Sequence, residues 1–281
     1  MKRKEVEMTK ELEYALERFI EIMKQEKGIK GAWNLGSITR GLSDKYSNVN
    51  IVFLVKGEEF KKVDDKVSEY LQQVCDEVVL CQPESFNSDA ISNTEYLLKK
   101  EQQLMQIEVA ILNEDKLDDA MCRMYYTDLS MEQVVFDSEG CVQKLLDESP
   151  KGDKWQSDLE KLNATYWFNI NMSIKYLKRK DFFKLHYLMR SLMDTHVALL
   201  LNGYDKISWG NMVNKLQYLP EKMQEHIMYY RCTEDFVENI SILWRVMNWF
   251  EDDYNEVCKI KGVEADNRLA PMVEEFWIDC M

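Results

Sequence analysis

Glycine and proline are scarce, 10 and 4 in 281 residues. So few breakers leave long stretches free to run as regular structure, and the periodic ones favour helix. Positive charge is also short: 36 Lys and Arg stand against 50 Asp and Glu, a formal net charge of -14. That balance excludes a general nucleic-acid partner, which would need a basic face to displace counterions. It suits a cytoplasmic protein, or one that attracts cationic ligands. No apolar run approaches the length of a bilayer span, and the opening Met1-Lys2-Arg3-Lys4-Glu5 lacks the apolar core of a signal peptide, so neither membrane nor export is expected. The three histidines, His186, His196 and His226, have no His-Glu-x-x-His spacing and no companion cysteines at zinc-ligand intervals, which points to packing or surface roles. The seven cysteines form no Cys-x-x-Cys pair and are odd in number, as expected of reduced thiols.

What is present is a globular balance, 46% hydrophobic and 31% charged, in a chain long enough for two domains. Pro150-Lys151-Gly152-Asp153 reads as the linker, giving an α/β domain over 1–150 and a helical bundle over 151–281, an α+β chain overall. From Thr9 to Lys27, Leu12, Ala15, Leu16, Phe19, Ile20 and Met23 fall at helical spacing, with Thr9 as cap. Gly28 and Gly31 break that helix, and Ala32 to Leu35 reads as a strand. Val49 to Val55 is a nearly continuous apolar run, as in a strand covered on both faces. A charged helix to Cys75 follows, then strands at Glu77 to Cys81, Tyr96 to Lys100 and Leu104 to Leu112.

Beyond Trp155 the pattern is helical. Leu162, Trp167, Phe168, Ile170, Ile174 and Leu177 mark one helix, and Phe182 to Leu201 a second, closed by Asn202-Gly203 and packed on the first as a hairpin. Helices over Glu221 to Tyr230 and Glu234 to Lys261 complete a bundle rich in aromatic and methionine residues. The basic run between Lys175 and Lys184 reads as a solvated turn. The apolar tail Phe276-Trp277-Ile278 docks on the bundle or on a second subunit, so a homodimer stays open.

The segment from Gly36 to Asn50 is the most specific part. Gly36-Ser37 at a strand end lets backbone N–H groups and a hydroxyl approach phosphate oxygens, and Arg40 offers a charged fork for the same anion. Gly36-Ser37, Arg40-Gly41 and Ser47-Asn48-Val49-Asn50 before an apolar strand resemble the signature of the nucleotidyltransferase superfamily. Lincosamide nucleotidyltransferases are similar in spacing here, and streptomycin (aminoglycoside) 6-adenylyltransferases are similar again at Trp209-Gly210 and Tyr218-Leu219-Pro220-Glu221.

The resemblance implies Gly36, Ser37 and Arg40 on a nucleotide's phosphates, and two strand carboxylates holding Mg2+ against a nucleoside triphosphate. It further implies a third acid, matched to Glu108, as general base towards a small hydroxylated and cationic acceptor. Alternation places residues two apart on one strand face. The two metal positions are Asn48 and Asn50 in this chain, neutral amides where the pattern has carboxylates. Magnesium prefers charged oxygens, so the expected transfer is weak or lost. The alternatives are a silent module binding a small molecule, nucleotide or protein, or one half of a toxin–antitoxin-like pair. For Glu108, an edge-strand position facing water remains the other reading; Asp44 reads as a solvated turn residue.

Overall fold

The computed structural model describes residues 10–35, 48–151, 156–206 and 212–281. The chain divides into two compact units, Met1–Lys151 and Gly152–Met281. A mixed sheet with flanking helices followed by an all-helical unit makes it an α+β protein.

In the first unit, helix α1 (Lys10–Gln25) leads into β1 (Ile29–Leu35) and β2 (Val49–Val55). Two short helices, α2 (Phe60–Asp64) and α3 (Val67–Gln72), take the place of the single helix expected before Cys75. Strands β3 (Glu77–Pro83), β4 (Ile91–Lys100) and β5 (Gln103–Asn113) follow, then α4 (Ala120–Met124), β6 (Val134–Asp137) and α5 (Cys141–Glu148). The six strands lie in the order β3-β4-β5-β2-β1-β6. β2 and β5 pair in parallel at the centre, and the β4–β5, β3–β4, β1–β2 and β1–β6 ladders are antiparallel.

Ala15, Leu16, Phe19 and Met23, at spacings of one, three and four, turn the buried stripe of α1 onto one face of this sheet, where Phe19 meets Phe53 edge-on at 5.8 Å. The other face carries Trp33, Val52, Leu54 and Ala110 beneath Cys122, Tyr126, Val142 and Leu145. Both faces of β2 are therefore covered, which is why its sequence is a continuous apolar run rather than an alternation.

Three differences from the sequence reading have physical causes. Gly31 lies inside β1 rather than before it, because α5 crosses there: a β-carbon would stand 2.3 Å from Val142 Cγ2. β4 starts at Ile91, five residues earlier than the apolar pattern suggests, since Ser92, Asn93 and Thr94 are buried polar residues that pair with β5. Helix α7 runs through Gly203 to Tyr204, where the missing side chain admits Val257 of a neighbouring helix; a β-carbon would lie 3.0 Å from its Cγ2.

The second unit is built on α6 (Leu159–Lys178), α7 (Phe182–Tyr204), α10 (Phe236–Lys261) and α11 (Leu269–Cys280), with α8 (Met212–Leu216) and α9 (Glu221–Met228) between α7 and α10. Asp158, Asp181 and Asp235 cap α6, α7 and α10 by accepting from the backbone N–H three residues on. Helices α6 and α7 form the expected hairpin, turning at Lys180 with φ 51°. The tail folds onto its own bundle: Trp277 is buried and its Nε1 donates to Ser173 Oγ of α6 at 3.0 Å.

This bundle encloses a polar network. His196 Nε2 and His226 Nδ1 donate to Asp253 Oδ2 at 2.9 and 2.7 Å, and Tyr230 donates to His196 Nδ1 at 2.8 Å. Tyr166 donates to the Val246 carbonyl at 3.0 Å, its oxygen 2.9 Å from that of Tyr230. Burial pushes the His196 pKa down, and it also acts to raise that of Asp253, yet the two imidazole N–H groups hold this carboxyl below its ordinary range. Two of the three histidines are thus packing residues, each satisfied by one aspartate.

Candidate functional site

The central parallel ladder sets Asn50 directly opposite Glu108, and the β4–β5 ladder sets Glu95 opposite Glu108 from the other side. Glu108 therefore lies mid-sheet, not on an edge strand. By alternation, Asn48 shares its face with Asn50, so the two amides and the carboxylate emerge on the side covered by α4 and α5.

Both oxygens of Glu108 are engaged. Asn93 Nδ2 donates to Oε1 at 2.7 Å. With its nitrogen turned to the carboxylate, the Asn50 amide donates to Oε2 at 3.3 Å and to the Val49 carbonyl at 3.2 Å, and the Asn48 amide stands 3.0 Å from the same nitrogen. Burial, followed by the nearby charges of Glu95 and Glu84, pushes the Glu108 pKa up against the pull of the Asn93 bond.

Asn93 is a hub. It is 3% exposed, and the Nδ2 that serves Glu108 also donates to the Tyr125 hydroxyl at 2.6 Å, while its Oδ1 is buried without a partner among the described residues. Tyr125 is placed by α4, whose end it caps. Asp119 caps the start of that helix, Cys122 Sγ donates to the Ala90 carbonyl at 3.3 Å, and Trp33 Nε1 donates to the Tyr125 carbonyl at 2.8 Å. Burial and the charges of Glu108 and Glu84 push the Tyr125 phenol up, so it remains a proton donor at neutral pH.

The sequence reading named Asn48, Asn50 and Glu108, and these three come together. It missed Asn93, Glu95 and Tyr125. The first two fell outside its strand, which began at Tyr96; the hint was a polar pair spaced by two, ahead of an apolar run. Gly36, Ser37, Arg40 and Asp44 lie outside the described residues, as do Trp209 and Gly210.

The donor set does not suit a magnesium ion. Two of its members are neutral amides, the Glu108 carboxylate already accepts two amide bonds, and even with Glu95 across from it no three His, Cys, Asp or Glu side chains among the described residues are grouped to hold a metal. What the arrangement offers is two half-buried carboxylates facing each other, Glu108 and Glu95, with amide groups and a phenol beside Glu108.

No protein-family model matches the sequence, and no curated protein matches it. Among solved structures it is similar to the crystal structure of an aminoglycoside 6-adenyltransferase from Bacillus subtilis, with 11% identity, 97% of this chain and 99% of that chain covered, and a TM-score of 0.44. Among the described residues no helix is long and apolar enough to cross a membrane.

Proposed function

We propose that the chain is a nucleotidyltransferase-like protein whose transfer activity is weak or lost, because Asn48 and Asn50 stand where the motif resemblance calls for metal-binding carboxylates. The observation that carries this reading is the placement of both amides beside Glu108, two strands converging where such chemistry would be done. Gly36, Ser37 and Arg40 would meet the phosphates of a nucleoside triphosphate, and Glu108 would face the hydroxyl of a small, cationic acceptor.

The amide bonds on Glu108 favour the neighbouring reading of a silent module that keeps the cleft and binds a small molecule, nucleotide or protein. A hydrogen-bond donor on a carboxylate oxygen favours the charged form and so opposes the proton uptake a general base needs. Each oxygen of this carboxylate accepts one such amide bond, and replacing two charged ligands with amides forfeits about 1.5 to 3 kcal/mol for each charge-assisted contact.

Calorimetry with Mg-ATP tests both. The wild type is expected to show little magnesium-dependent affinity, and the double variant Asn48→Asp, Asn50→Asp a gain of roughly tenfold or more. Tight magnesium-dependent binding with pyrophosphate release by the wild type would overturn the reading of the asparagines; no gain in the double variant would overturn the assignment of the two positions.

A further inference from the structure

We infer that the groove between the first half of α7 and the 230 to 234 segment is a binding site for a small aromatic anion, independent of the cluster around Glu108. A cavity of about 470 Å³ lies there, walled by Phe183, Tyr187 and Tyr230 with Arg190 and Arg231 at its rim. A second, of about 680 Å³, adjoins it and shares Phe183, His186 and Cys232. Such volumes suit small ligands.

Phe183 is 87% exposed and Tyr187 77%, one turn apart on the same helix face. Single exposed aromatics need no explanation, but two bordering one cavity offer ring faces for stacking. The opposite wall is fixed from within, because the Tyr230 hydroxyl is held by His196 Nδ1 at 2.8 Å and lies 2.9 Å from that of Tyr166. A stacking ligand would therefore meet a surface already in place.

The sign of the ligand follows from charge. In a chain of -14, the residues lining the first cavity include Arg190 and Arg231 and no acid, while those lining the second include Lys180 and Glu234, so the anion's place is the first. Arg190 is tied to Asp194 at 3.0 and 3.1 Å and Arg231 to Glu238 at 3.4 Å, all exposed pairs that an incoming anion can replace at little cost. Guanidinium forks beside ring faces recognise a flat ring bearing a carboxylate, sulfonate or phosphate.

The test uses the full chain with 8-anilinonaphthalene-1-sulfonate and its uncharged analogue N-phenyl-1-naphthylamine. Saturable one-to-one binding of the sulfonate is expected, at least about tenfold tighter than the analogue, and weakened about tenfold in Phe183→Ala and in the double variant Arg190→Ala, Arg231→Ala, with circular dichroism unchanged. Bound sulfonate should also slow alkylation of Cys232, read by peptide mass spectrometry. Non-saturable binding, equal affinity for the neutral analogue, or indifference to the substitutions would each overturn the site. An acidic, phenylalanine-containing peptide that binds the groove and resists displacement by the sulfonate would overturn the small-molecule assignment.

Discussion

Asn50 faces Glu108 across the parallel ladder, its amide 3.3 Å from Oε2. This contact holds only because one partner is neutral. Asn50→Asp would set two half-buried carboxylates side by side and remove a donor from Glu108, at a cost of about 1 to 3 kcal/mol. Thermal unfolding in EDTA should show a Tm lower by several degrees, at about 2 to 4 °C per kcal/mol. Millimolar magnesium should recover part of the loss in the variant and leave the wild type unmoved; equal responses of the two proteins would sink the prediction.

Glu108 itself should respond to pH in the opposite sense to most carboxylates. Burial raises its folded pKa above the unfolded value, so the folded state binds the proton more readily, and its contribution to stability is full below about pH 4.3 and lost as pH rises through the folded pKa. Glu108→Gln removes the charge and keeps an oxygen for Asn93, while Asn50 can turn to present its own oxygen. The variant should be as stable as the wild type or more so at pH 7, with the gap closing towards pH 4. Denaturant midpoints at the two pH values measure this, and a variant much weaker at pH 7 would contradict it.

The bounds of β2, the hairpin of α6 and α7 and the reach of α10 were legible because their cores are built from long, periodic apolar runs. The early part of β4 was not. Ser92, Asn93 and Thr94 are buried there by a hydrogen-bond network and not by apolar preference, so the strand has a polar sequence. The same fact hid half of the cluster: Asn93 gains meaning only once β4 pairs with β5, and Tyr125 only once Trp33 and Cys122 fix α4. Asn48, Asn50 and Glu108 could be named because their significance came from a linear motif and from one acid interrupting an apolar run.

Asp253 offers a test of the helical unit. Asp253→Ala would leave His196 and His226 buried without their shared acceptor, a loss of about 1 to 3 kcal/mol for each unsatisfied N–H. The wild type should carry a matching pH signature. Burial lowers the folded pKa of His196, so the unfolded state takes up a proton first, and stability falls as pH drops below about 6.5. The depressed Asp253 adds a further loss as pH falls below about 3.9. Urea denaturation from pH 8 to 5 should show a falling midpoint at constant m-value; a flat profile would contradict the lowered pKa of His196.

Gly31 tests how closely α5 is pressed on the sheet. It is not among the glycines with positive φ, so no left-handed backbone demands glycine there, and alanine would lower the entropy cost of ordering the strand. Space decides instead: a β-carbon would meet Val142 Cγ2 at 2.3 Å and the Phe136 carbonyl at 3.0 Å, and Val142 is fully buried. Gly31→Ala should therefore cost about 1 to 3 kcal/mol as an overpacked contact. Adding Val142→Ala removes the obstructing methyls, so the double variant should recover part of the loss that Gly31→Ala shows alone. Measured as a double-mutant cycle in denaturant, simple additivity of the two substitutions would show that α5 yields to the new methyl group without repacking on Val142.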